Sequence, residues 1–225
     1  MKVNYNWAIL GAGLIAEEFA EGLSIVPNAV LYAVGSRSIE RADSFKQRHG
    51  CVRAYDSYAQ MLADPEVDIV YIATTNNVHF EHTMMCLEAG KAVLCEKPFA
   101  SNLQQVRLMV AKAKEKNVFL MEALWTRFIP SMIELKKQLE LGSIGRPKML
   151  QCDFGLFLHS IQHTEIMRPN WAVVLCPILA FIPFLRRCFS LVNPNRCTLH
   201  RSHRPQGPIG LRLYCSSTKV EKLAC

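Results

Sequence analysis

Gly11-Ala12-Gly13-Leu14-Ile15-Ala16 sets two glycines and a small residue at the spacing that a dinucleotide pyrophosphate requires. The first glycine permits a tight turn, the second lets backbone approach a phosphate, and Ala16 allows close packing of helix on strand. Leu14 and Ile15 would supply the first free N–H groups of that helix to the phosphates. A glycine turn needed only for chain reversal is the plainer alternative. About twenty residues on, where an acid would bind ribose hydroxyls, stand Gly35-Ser36-Arg37-Ser38. A carboxylate there would repel a 2′-phosphate. Ser36 and Ser38 can hydrogen-bond one and Arg37 can pair with it as a planar fork, so NADP(H) is expected in preference to NAD(H). Arg37 could instead be a solvated residue at a helix start.

Two further polar segments follow apolar runs. Thr74-Thr75-Asn76-Asn77-Val78-His79 comes after a run ending at Ala73, and Glu96-Lys97-Pro98 after one ending at Cys95. If both runs are parallel strands, both segments lie at carboxyl ends, where open sheets bind ligands, and they converge near the nicotinamide end of the cofactor. Singly, each has a bland reading: Asn76 and His79 could cap the next helix, and Lys97 could be a surface lysine before a turn-forming proline.

The elements that must position these groups alternate. Residues 3–10 end in an apolar run, Leu14–Leu23 has helical spacing, Ala29–Val34 reads as a buried strand, and Ile39–His49 is a polar-faced helix closed by Gly50. Strands follow at Asp68–Ala73, Ala92–Cys95 and Val118–Met121, with helices at His79–Ala89 and Leu103–Lys116. Short apolar strands alternating with helices predict an α/β fold with a doubly wound parallel sheet over residues 1–122. A helix at Ser131–Leu141 and a strand at Pro147–Phe154 would open a second α+β domain over 123–167. Residues 168–225 show no period and read as an aberrant, poorly ordered tail.

Half the residues are hydrophobic and a fifth charged, a globular balance. The net charge of +7 would suggest a nucleic-acid or membrane partner if it were spread over the fold. It is not spread: residues 1–167 hold 17 basic and 18 acidic residues, and 168–225 hold nine basic residues against Glu221 alone. Five of the nine cysteines also fall in that last stretch. The basic run Arg201–Arg212 lacks the aromatic interleaving of a nucleic-acid stripe. Trp171–Leu185 is apolar but shorter than a membrane span and holds two prolines. His200, His203 and Cys197 match no zinc spacing, and Cys225 is outside a prenylation motif. No nucleic acid, membrane or metal is expected as a partner. With no secretory signal at Met1–Tyr5, a cytoplasmic location is the default and disulfides are not expected.

The polar segments together resemble the glucose-fructose oxidoreductase, inositol dehydrogenase and MocA family, which carries A-T-x-N-x-x-H and E-K-P after its third and fourth main strands. Met121-Glu122-Ala123-Leu124-Trp125-Thr126-Arg127-Phe128 is similar to the M-E-A-x-W-x-R-F stretch of its dihydrodiol dehydrogenase and sugar dehydrogenase branch. The resemblance runs from Trp7 to about Phe154. It implies an oxidoreductase acting on a small diol or sugar, with hydride transfer between nicotinamide C4 and a carbon bearing a hydroxyl. It implies cofactor-binding roles for Thr74, Thr75, Asn76, His79, Glu96, Lys97, Trp125 and Arg127, and for Lys97 also a catalytic role beside the reacting oxygen. An ammonium there would stabilise alkoxide charge as the hydroxyl proton leaves.

The family's second domain adds a tyrosine or histidine after G-G-G-A-L-x-D-I-G-x. Where that stretch is due, this chain reads Asn170 to Pro183 with no such pattern. Read one frame away, the codons of Asn170 and Trp171 force Leu and then Gly, and permitted third bases give L-G-G-G-A-L-S-D-I-G-I-Y. Phe181 followed by Ile182 forces Tyr or His at the catalytic place, and Leu191–Cys197 can give G-K-P-K-P-V. Every forced position agrees with the family. The expectation is a frame change between about Phe154 and Asn170, which would leave a cofactor-binding fragment without its substrate domain or its homo-oligomer interface.

Overall fold

The computed structural model describes residues 4–143, 145, 151–153 and 212–214. Contacts divide the chain after Leu124. The first unit holds β1 (Tyr5–Leu10), α1 (Leu14–Ser24), β2 (Ala29–Gly35), α2 (Ile39–His49), β3 (Arg53–Tyr55), α3 (Tyr58–Ala63), β4 (Ile69–Ile72), α4 (His79–Glu88), β5 (Ala92–Cys95), α5 (Leu103–Lys116) and β6 (Leu120–Glu122). Its six strands lie in the order β3-β2-β1-β4-β5-β6, and all pairs are parallel. This is the doubly wound dinucleotide-binding sheet.

Apolar strands demand cover on both faces, and both are covered. One face packs Leu10, Val70, Ile72 and Val93 against Met61, Cys86, Leu87 and Ala113. The other packs Ile9, Val34 and Tyr71 against Ala16, Ala20, Ala42 and Phe45. Ala16 and Ala20 are the small face of α1, which allows the helix to lie close to the sheet. Phe19 of the same helix stacks on Tyr71 with ring centroids 3.7 Å apart. Glu17 of α1 pairs with Arg48 and His49 at the end of α2, which ties the two helices together on this face.

Helix ends follow the chemistry of their residues. Ser38 caps α2 by accepting from Arg41 N at 3.2 Å, and Gly50 closes it in the left-handed conformation. Asn102 caps α5 by accepting from Gln105 N, and Asn117 closes it at φ 52°. The latter closure moves β6 from its predicted place. Val118 N returns to Ala113 O as part of the helix end, so the strand begins at Leu120 rather than Val118. β3 and α3 are additions to the predicted order, three and six residues long, too short for either period to register.

The second unit begins at Trp125 and is described by itself. A 3-10 turn at Trp125–Phe128 leads to α6 (Pro130–Glu140), which Pro130 starts. Strand β7 (Gln151–Asp153) falls inside the predicted run 147–154 and pairs antiparallel with β8 (Arg212–Tyr214). Gln151–Asp153 and Arg212–Tyr214 apart, the predicted tail with its apolar and basic runs, and the stretch where the family pattern is due, lie outside the described residues. Among the described residues no helix is long and apolar enough to cross a membrane. No group of three His, Cys, Asp or Glu side chains among them could hold a metal.

Candidate cofactor site

β1 sits between β2 and β4, and the chain leaves it in opposite directions along the sheet, so a crevice opens beyond the carboxyl end of β1. The turn after β1 is built for glycine at Gly11. Its φ is +103°, and a Cβ there would stand 2.9 Å from Thr74 Cγ2 and 3.1 Å from Ala73 O. Gly11 N donates to Gly35 O, which fastens the turn to the end of β2. Gly13 differs. Its backbone is extended, any residue could adopt it, and a Cβ would meet nothing within 4 Å. No protein contact requires glycine at Gly13, so the missing side chain leaves open space over the start of α1.

α1 begins at Leu14 without a side-chain cap; Ala16 N and Glu17 N donate to Gly13 O, while the N–H groups of Leu14 and Ile15 have no intrahelical acceptor. Leu14 is 87% exposed and Ile15 also faces solvent. The acid of the first turn, Glu17, is drawn away to Arg48 and His49, which hold its carboxyl below its ordinary range against the opposing effect of burial. An open cradle with backbone donors fits a pyrophosphate.

Past β2, Ser36 is buried, and its Oγ accepts from Ser38 N at 3.4 Å. Ser36 therefore shapes the loop, while Arg37 is exposed. Arg41 was not singled out from the sequence. Its Nη2 donates to Ala12 O at 3.2 Å, across from the first turn of α2 to the glycine turn. Arg41 lies in the first turn of α2 and Arg37 in the loop before it, so no helical spacing in the sequence links the two. Both guanidiniums act on Tyr58, whose hydroxyl burial nevertheless pushes above its ordinary range. Glu40, in the first turn of α2, accepts from Ser38 Oγ at 2.6 Å.

Beyond β4 and β5 the two polar segments are clamped to each other. His79 is 1% exposed. Its Nδ1 faces Pro98 O at 2.8 Å and its Nε2 faces Thr74 O at 3.0 Å. The ring thus bridges the loop after β4 and the loop after β5. The helix behind it has no side-chain cap, so neither Asn76 nor His79 caps it. His79→Leu would leave two carbonyls unpaired; we expect it to lower unfolding free energy by about 2–4 kcal/mol in a urea titration.

Lys97 is joined to Pro98 by a cis peptide, and the loop around it is pinned on every side. Glu96 accepts from Tyr71 Oη at 2.7 Å and from Lys97 N at 3.0 Å. Glu122 accepts from Phe99 N at 3.0 Å. Burial and the neighbouring Glu96 raise the Tyr71 hydroxyl far above its ordinary range, so it stays a donor. Glu96 is buried behind the loop; Lys97 is half-buried, and no ion pair holds its ammonium among the described residues. Cys86 and Cys95 lie beneath, both free, with the Cys95 thiol pushed up to about 12 by burial. They are packing residues. Thr75 is exposed, Thr74 and Asn76 are half-buried, and Trp125 and Arg127 are exposed on the 3-10 turn of the second unit.

The family model for "Oxidoreductase family, NAD-binding Rossmann fold", that of the GFO/IDH/MocA proteins, matches residues 5–124. The chain belongs to the GFO/IDH/MocA oxidoreductase family. Among its relatives is mouse trans-1,2-dihydrobenzene-1,2-diol dehydrogenase, 45% identical over 193 residues, covering 85% of this chain and 58% of that one. Two solved family-like structures have TM-scores of 0.63 and 28% identity and cover 67% of this chain. They are an NAD binding oxidoreductase from Klebsiella pneumoniae, covered over 42% of its length, and the 3-ketoreductase KijD10 from Actinomadura kijaniata in complex with TDP-benzene and NADP, covered over 48%. The chain thus spans about half the length of the relatives it matches.

Proposed function

We propose that the first unit binds NADP(H) across the carboxyl ends of its strands and that the whole protein is an oxidoreductase of dihydrodiol or sugar dehydrogenase type. The observation that carries the proposal is the pairing of an open cradle at Gly13 with Arg37 and Arg41 on the β2 side. The second guanidinium is tied to the cradle itself through Ala12 O. Leu14 and Ile15 N–H groups would meet the pyrophosphate, and Arg37 the 2′-phosphate. Thr74, Thr75 and Asn76 would line the nicotinamide side, with His79 and Glu96 holding the loops behind them. Trp125 and Arg127 follow from the family resemblance alone. When bound, the nicotinamide supplies hydride exchange with a carbon bearing a hydroxyl. Lys97, on a loop fixed by Glu96, Glu122 and His79, would stabilise negative charge on the substrate oxygen and share its proton.

A second reading, a cofactor-binding fragment without turnover, is favoured by the forced codons at Asn170-Trp171 and Phe181-Ile182. Against it, the match to the mouse enzyme covers 85% of this chain, which carries it past residue 167. Sequencing transcript and locus together decides whether a frame change occurred. Assay of the full chain with NADP on dihydrodiols and aldoses separates the readings. Turnover at rates typical of enzymes establishes the oxidoreductase, whereas NADPH binding without turnover establishes the fragment. In a chain whose frame is restored past Phe154, we expect Lys97→Met to cut turnover by roughly 10²–10⁴. Fluorescence titration should find NADPH affinity within about threefold of the unsubstituted chain.

A further inference from the structure

Thr74, Tyr58 and His82 form a continuous wall between the ends of β2 and β4. Thr74 Cγ2 lies over Gly11, and Tyr58 Cδ1 lies 3.1 Å from where a Cβ on Gly35 would stand, so both rest on the glycines at the strand ends. His82 closes the gap. Its Nδ1 is 2.9 Å from Thr74 Oγ1, and its ring meets Tyr58 edge-on at 5.1 Å between centroids. Its Nε2 has no partner among the described residues. The buried unpaired side-chain polar atoms among those residues are Thr83 Oγ1 and Thr126 Oγ1, so the free nitrogen of His82 reaches solvent. The charge of the exposed Arg37 is felt at both His82 and Tyr58, lowering the proton affinity of each.

We propose that His82 faces the adenosine end of the bound nucleotide and that its imidazolium joins Arg37 and Arg41 as a third cation for the 2′-phosphate. The proposal rests on the NADP(H) reading above. The groups that face the ring are Arg37 from the loop before α2, Tyr58 from α3, and Glu81 and His79 from α4, with Thr74 below. In the free chain burial lowers the proton affinity of the ring; Glu81 opposes this, and His79 and then Arg37 add to it. A phosphate dianion arriving among these groups reverses the local sign of charge and favours proton uptake. NADP(H) affinity then gains on acidification through His82, and NAD(H), without the phosphate, does not.

The test measures dissociation constants of NADPH and NADH for the full chain and for His82→Gln at about pH 6 and about pH 8. The phosphate's own ionisation near pH 6 is common to both proteins and cancels in their ratio. At about pH 6 the variant should bind NADPH about threefold to tenfold more weakly than the unsubstituted chain, and at about pH 8 within about twofold. The NADH ratio should stay near one at both. On the unsubstituted chain, the His82 ring resonances should titrate at higher pH with NADPH present than with NADH, a readout independent of how well the variant folds. A pH-independent NADPH ratio, an equal change for NADH, or an unmoved ring titration overturns the role of His82 while leaving NADP(H) binding intact. No NADPH binding by the unsubstituted chain overturns the cofactor reading itself.

Discussion

Gly13→Val should abolish nucleotide binding without harming the fold, and Gly11→Val should harm the fold. The two glycines are two residues apart in one turn, yet only Gly11 is required by the fold. At Gly13 the backbone is extended and a Cβ would enter open space, so valine costs the folded chain little. If that space receives a pyrophosphate, its branched side chain takes the place of the phosphate, and NADPH affinity should fall by at least about 100-fold. At Gly11 the φ of +103° is strained for any L residue, and the new Cβ would press on Thr74 and on the backbone of Ala73. The conformational cost is about 1–2 kcal/mol and overpacking adds about 1–3 kcal/mol. Urea unfolding and NADPH titration of both variants check the pair. Equal loss of stability in both, or retained binding in Gly13→Val, would refute this division of labour.

Arg37→Ala should weaken NADPH by about 10–100-fold and leave NADH within about threefold, because a charge-assisted pair with the 2′-phosphate contributes roughly 1.5–3 kcal/mol. Arg37 is exposed and is not the guanidinium that braces the turn; Arg41 has that contact, through Ala12 O. Removal of Arg37 therefore tests the phosphate rather than the scaffold. Arg37→Glu should weaken NADPH further, since a carboxylate repels the phosphate and can hydrogen-bond the ribose hydroxyls of NADH. Paired titrations with the two nucleotides measure the change. Parallel weakening of both would place Arg37 outside any 2′-phosphate site.

Much of this was legible in the residues. Ser38 and Gly50 bound α2 where their capping chemistry puts them, and Leu103–Lys116 forms α5 as its spacing required. The glycine turn between β1 and α1 follows from strand, turn and helix in the right order. What was hidden is what depends on distance in sequence. Arg41 meets Ala12 across 29 positions, and His79 joins loops 19 apart; no local pattern records either contact. His79 read as a helix cap or a ligand because its neighbours are polar, but the fold buries it between carbonyls. His82 drew no attention because it lies inside a helix, one turn beyond the polar segment that marks the strand end. β3 and α3 escaped because three and six residues cannot display a period.

The most direct test is an equilibrium titration of the full chain with NADPH and with NADH, followed by nucleotide fluorescence and repeated on Gly13→Val. Saturable binding of NADPH, tighter than NADH by about tenfold or more and lost in Gly13→Val, is the expected result. Absence of NADPH binding, or binding indifferent to Gly13→Val, would contradict a nucleotide site at the glycine turn.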